Sequence, residues 1–160
     1  MRSIAKTAFF AAFALLISVG TSGAVIMNYI VPLSGAQEVG GGDVDGTGTA
    51  TLTLDTSTNT IDWSIVVANL SAITGDHIHQ APAGMNGGIV IDFSVALAGS
   101  GLFDVDVSAV VANPTGYYVN VHTTEFPGGA IRGQIPEPAT VTLLGAGLLG
   151  LAAATRRRAG

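Results

Sequence analysis

The chain has 160 residues, of which 48% are hydrophobic and only 11% charged, with a formal net charge of −5 and no cysteine. That length allows one domain, and the missing thiols exclude disulfides, thiol catalysis and cysteine-based zinc or iron–sulfur sites. The charge is unevenly spread: between residues 25 and 135 a single base, Arg132, faces ten acids. Such a body will not bind nucleic acid by neutralising phosphates, and it should avoid anionic membrane surfaces.

The first 24 residues open with Arg2 and Lys6, continue through an apolar run from Ala8 to Val19, and end at Ser22-Gly23-Ala24. A basic start, a short apolar stretch and small residues at the end are the signature of a secretory signal peptide, here cleaved after Ala24. The alternative, an N-terminal anchor helix, needs about 20 apolar residues.

The body, 25–135, shows no helical period and repeated alternation at period two. Strands are expected at 28–33, 49–55, 60–67, 76–80, 88–94, 102–108, 117–123 and 130–135. Thr49–Asp55 and Thr60–Val67 read as a hairpin around the polar stretch Asp55–Asn59. Glycine-rich loops lie at 38–48 and 80–89. Asp43 and Asp45 open "DVDG" like a calcium loop, but later oxygen ligands are missing, so the segment reads as a flexible connector. Asn69-Leu70-Ser71 matches a glycosylation acceptor pattern. Short strands separated by Gly, Pro, Asn and Ser clusters predict an all-β antiparallel β-sandwich of Greek-key, immunoglobulin-like type.

The chain has only three histidines. Residues i and i+2 of a strand share a face, so His77 and His79 in "GDHIHQAP" point away from Ile78. In "YYVNVHT", Tyr118, Asn120 and His122 oppose Val119 and Val121. If the aliphatic faces meet in the core, His77, His79, Asn120, His122, Arg132 and Gln134 lie on the outer side. Should the strands of His77/His79 and His122 be neighbours, three imidazoles can meet one ion. That donor set suits copper best, with zinc or nickel behind. Met85 is a candidate soft ligand, and Asp76 and Glu125 are candidate oxygen ligands or partners of the ligands. The competing reading gives all three histidines ordinary hydrogen bonds to Asn120, Thr123 or backbone. Arg132 with Gln134 is a candidate carboxylate or sugar contact, against an ordinary ion pair with a nearby acid.

The tail, 136–160, begins Pro136-Glu137-Pro138, runs through the apolar or small stretch 139–155, and meets Arg156, Arg157 and Arg158. Seventeen apolar or small residues are at the lower limit for a transmembrane helix, and the arginines would hold its far end in the cytoplasm. Pro-Glu-Pro, a short Gly/Ala/Leu helix and a terminal arginine cluster resemble the PEP-CTERM sorting signal. The resemblance implies transient anchoring in the inner membrane, cutting near the motif by an exosortase-like enzyme, and release into the envelope or extracellular matrix of a Gram-negative bacterium. An ordinary permanent tail anchor is the alternative.

The body also resembles a family. "LSGAQEV" (33–39), "GTATLTLD" (48–55), "TGDHIHQAPAGMNGGIV" (74–90), "YYVNVHT" (117–123) and "GAIRGQI" (129–135) follow the order of a CHRD domain, which implies an immunoglobulin-like sandwich but no established activity. The sequence departs from that pattern at "GGGDVDG" and at Ala130. The histidine arrangement is also similar to half of a copper/zinc superoxide dismutase, although too few histidines remain for its bridging ligand and zinc site. The leading expectation is an exported, non-catalytic module with a surface transition-metal site of His77, His79 and His122, copper favoured, served by secretion machinery and an exosortase-like enzyme. A matrix or adhesion protein binding polysaccharide or another protein is the second reading, and a copper redox enzyme the third.

Overall fold

The computed structural model describes residues 23–138 and three isolated positions of the tail. The signal peptide expected over 1–24 lies almost wholly outside the described residues, as do the expected C-terminal helix and Arg156–Arg158. Among the described residues no helix is long and apolar enough to cross a membrane.

Eight strands form the domain: β1 (Ile26–Ser34), β2 (Thr47–Asp55), β3 (Thr60–Ala68), β4 (Ile73–Gln80), β5 (Ile89–Asp92), β6 (Ala98–Phe103), β7 (Tyr117–Thr123) and β8 (Ile131–Gln134). They make one antiparallel sheet in the order β5-β4-β7-β8-β1-β2-β3-β6. The all-β, antiparallel expectation holds. The strands are joined in a single curled sheet, and its middle junction, β1 to β8, rests on the one pair Ser34↔Arg132. Pro32, which has no N–H to give a ladder, lies in β1 close to that junction.

Alternation places the core. Tyr29, Val31 and Leu33 of β1, Leu52 and Leu54 of β2, and Ile61 and Ile65 of β3 turn inward. They meet Ile78, Ile91, Val119, Val121 and Ile131 from the other half of the curl in one apolar cluster. β1, β2 and β3 pair without interruption over nine residues each, because the inward positions, Gly48 apart, carry apolar side chains and a slip of one residue would expose them all.

The segment 93–98 closes the curl. Phe93 follows β5 and stacks on Trp63 of β3, with ring centroids 4.7 Å apart. The Trp63 indole N–H donates to the Ala96 carbonyl, and Ile65 N–H donates to Leu97 O. Ser94 and Val95 both have positive φ, 55° and 64°, a conformation that is costly for a β-branched residue.

The strand expected at 102–108 is a correction. β6 ends at Phe103 and a short helix, α1 (Val107–Ala112), follows. "DVDV" reads as period two, but Asp104 instead accepts the Asp106 N–H through Oδ1, and Val107 and Val110 bury one side of a helical turn. The expected flexible connector is also corrected. Asp43 is buried, its N–H donates to Ala130 O, and its Oδ1 accepts the Gly46 N–H at 3.1 Å.

Candidate metal centre

β4 and β7 are neighbours, with Gly75↔His122, His77↔Asn120 and His79↔Tyr118 in register. Ile78 and Val119 face the core, so the histidines share the opposite face. Gly75, opposite His122, carries no side chain. A Cβ there would stand 2.7 Å from His77 Cε1, so this glycine makes room for the rings. The ring centroids of His77 and His122 are 5.1 Å apart, those of His77 and His79 5.5 Å, and those of His79 and His122 5.6 Å.

One nitrogen of each ring is accounted for. His79 Nδ1 is 3.0 Å from Gly87 O, and His122 Nδ1 is 3.0 Å from Pro127 O. His77 Nε2 is 3.5 Å from the Asp92 carboxylate. The remaining nitrogens, His77 Nδ1, His79 Nε2 and His122 Nε2, are buried and have no hydrogen-bond partner. A buried imidazole nitrogen without a partner costs free energy, and three such atoms side by side call for a shared one. The three side chains offer ligand atoms all within 4.8 Å of one another. Two nitrogens on one ion at about 2.0–2.1 Å lie roughly 3.3–4.1 Å apart, so small ring rotations would close the set. Backbone carbonyls on Nδ1 of His79 and His122 fix the tautomer and orientation of those two rings, as such partners do around metal-bound histidines, while the Asp92 carboxylate lies beside His77 Nε2. The residues therefore fit a transition metal.

Electrostatics favour the neutral ligands. Burial lowers the His77 pKa, with His122 adding to the effect and Asp92 opposing it. Burial also lowers that of His79, while the Gly87 carbonyl opposes and His122, His77 and Arg132 add smaller downward pushes. Neutral imidazole is the form that binds metal.

The histidines lie on the outer side of the sheet, as parity places them, and that face is partly covered, with His77 and His122 half-buried. His79 is 7% exposed, Asn120 2% and Arg132 1%. The loop 81–88 covers His79 and Arg132, and Arg132 holds it down. Its guanidinium donates to Met85 O at 2.7 Å, to Pro82 O at 3.2 Å, and to Asn86 Oδ1 and Gln134 Oε1. It also lies 3.4 Å above the Tyr118 ring centroid. Tyr118 stacks on His79 with centroids 4.9 Å apart, and its hydroxyl accepts the Gly87 N–H. Arg132, Tyr118 and His79 thus form a three-layer stack. With its donors spent on carbonyls, Arg132 is neither the carboxylate or sugar contact nor half of the ion pair that its sequence position offered.

The other proposed partners separate. Asp76 is fully buried on the Ile78 side of β4, away from the histidines. Burial, helped by Asp92, pushes its carboxyl up to about 6. Glu125 is not among the grouped ligands. Instead it lines, with Glu38, Asn86 and Pro127, a hollow of about 310 Å³ beside the loops. Met85 contributes its carbonyl to Arg132 and is itself 59% exposed. The sequence reading missed Asp92, Gly87 and Pro127. Only Asp92 had a signal, being a polar residue at the end of a strand next to the histidine strand.

An antiparallel all-β domain that gathers its three histidines on a covered sheet face is the class that fold and site define. Within it the chain belongs to the CHRD domain family, whose profile matches residues 29–135. A PEP-CTERM protein-sorting motif matches residues 134–158. That motif marks exported proteins of Gram-negative envelopes and implies processing by an exosortase-like enzyme. No curated protein and no solved structure matches the chain.

Proposed function

We propose that this protein is an exported, sorted CHRD module of the envelope or extracellular matrix that binds a transition metal, copper before zinc or nickel, through His77, His79 and His122. The role is non-catalytic: the metal is held rather than turned over. The observation that carries the reading is the convergence of three buried, partnerless nitrogens, two of them on rings whose opposite nitrogen is already held by a backbone carbonyl. Three imidazoles follow the affinity order that peaks at copper, and no thiolate is present to compete. His77 Nδ1, His79 Nε2 and His122 Nε2 would be the donor atoms.

Copper titration of the folded protein, read by ultraviolet absorption and EPR, tests it. One equivalent should give a nitrogen-coordinated signal, and His122→Ala should weaken binding at least tenfold without unfolding the domain. An unchanged spectrum at equimolar copper would remove the metal and leave a matrix or adhesion role.

A further inference from the structure

The hollow of about 310 Å³ beside the loops lies outside the three-histidine donor set and is lined by Glu38, Glu125, Phe126 and Gly129 among others. A Cβ on Gly129 would stand 2.6 Å from Glu38 Oε1 and 2.9 Å from the Asn120 carboxamide nitrogen. This glycine therefore keeps open a space on which both side chains converge. Glu38 Oε1 and Asn120 Oδ1 are buried without hydrogen-bond partners, and Asn120 is only 2% exposed. Buried acceptors of this kind cost free energy until a donor arrives. The protein supplies none. Arg132 is the sole base among the described residues, and its guanidinium hydrogen bonds go to Met85 O, Pro82 O, Asn86 Oδ1 and Gln134 Oε1 rather than to a carboxylate.

We propose that this hollow binds an amino sugar, with its protonated primary amine on Glu38 and its hydroxyls on Glu125. Two carboxylates without a basic side chain between them call for a positive group, and a charged donor on a carboxylate makes one of the stronger hydrogen bonds. Burial pushes the Glu38 carboxyl up to about 7, and an ammonium beside it favours the ionised form. Size selects an organic cation over a bare ion, because the hollow reaches the lower end of small-molecule pockets, about 300 Å³. Phe126 supplies an apolar wall for the C–H face of a sugar ring and a π face for its ammonium. A lysine side chain would satisfy Glu38 but leave Glu125 unused.

NMR titration of the exported protein, stripped of metal by chelation, tests this and stands apart from the copper titration. Glucosamine at pH 7 should shift the amide resonances of Gly41, Phe126 and Gly129 saturably. N-acetylglucosamine, whose amine is blocked, should bind at least tenfold more weakly. Glu38→Gln should weaken glucosamine at least tenfold, and Glu125→Gln, on an exposed loop residue, should weaken it several-fold with the fold intact. Unsaturable shifts with glucosamine, equal binding of N-acetylglucosamine, or unchanged binding in Glu125→Gln would each overturn the proposal. Equal binding of Nα-acetyl-lysine amide would overturn the sugar and make the hollow a site for peptide lysines.

Discussion

Single residues in this domain carry costs that the fold tolerates, and Glu38 is the clearest. Burial pushes its carboxyl up to about 7 from an ordinary 4.5, against the pull of the Arg132 guanidinium. One carboxylate oxygen is buried without a partner, and Glu125 shares the adjacent hollow. Between pH 4.5 and 7 the folded chain holds a proton at Glu38 that the unfolded chain has released. Stability therefore falls as pH rises through that window and levels off above it. The shift sets a ceiling of about 3 kcal/mol, and partial exposure of Glu38 reduces the expected size to about 1 kcal/mol. Glu38→Gln should be more stable than the parent at pH 8 by that amount and nearly equal to it at pH 4.5. Thermal melts at the two pH values decide, and a gain independent of pH would contradict the assignment. Asp76 runs in the same direction, so some slope persists in the variant.

At the scale of elements, the site depends on two strands and a loop, and these were unequally legible. The faces of His77, His79 and His122 followed from parity alone. The adjacency of β4 and β7 did not, because strand pairing across β5, β6 and α1 leaves no local mark. Nor did the carbonyls of Gly87 and Pro127, since any residue offers one. α1 was misread because Val105 and Val107 alternate with Asp104 and Asp106, while its helical side shows only in Val107 and Val110. The loop 81–88 makes its own prediction. Arg132→Met would leave Met85 O and Gln134 Oε1 without the guanidinium donors, each worth about 1–3 kcal/mol if it stays buried, while Pro82 O keeps the Met85 N–H. Denaturant unfolding should show a loss of about 3 kcal/mol. Arg132→Lys keeps the charge but not the fork of donors. It should retain most of the stability while weakening copper binding about tenfold, because Gly87 O no longer orients His79. Equal loss of copper affinity and stability in both variants would reduce Arg132 to a packing residue.

Across the whole molecule, the curl is fastened at both ends of the sheet order by a small contact set. Trp63 on β3 and Phe93 after β5 stack across it, and Gly99 leaves the space that the indole occupies. Trp63→Ala should cost about 3–5 kcal/mol. Trp63→Phe keeps the stack, loses the hydrogen bond to Ala96, and should cost about 1 kcal/mol. Chemical denaturation followed by circular dichroism separates the two, and equal costs would locate the closure elsewhere. The antiparallel all-β class was readable from alternation and turn residues. The joining of all eight strands into one sheet through Ser34↔Arg132 was not, since a single pair leaves no pattern in the sequence.

The pairing of β4 with β7 has a consequence for assembly in time. The His77/His79 strand emerges from synthesis well before His122, with two further strands and a helix between them. Until that distant partner docks, the chain offers only a two-imidazole chelate, and long-range pairings are the slow ones to form. The complete donor set exists only once the topology does. Metal uptake would then act as a late checkpoint: it stabilises chains that have finished folding, and it gives unfinished ones at most a weaker hold.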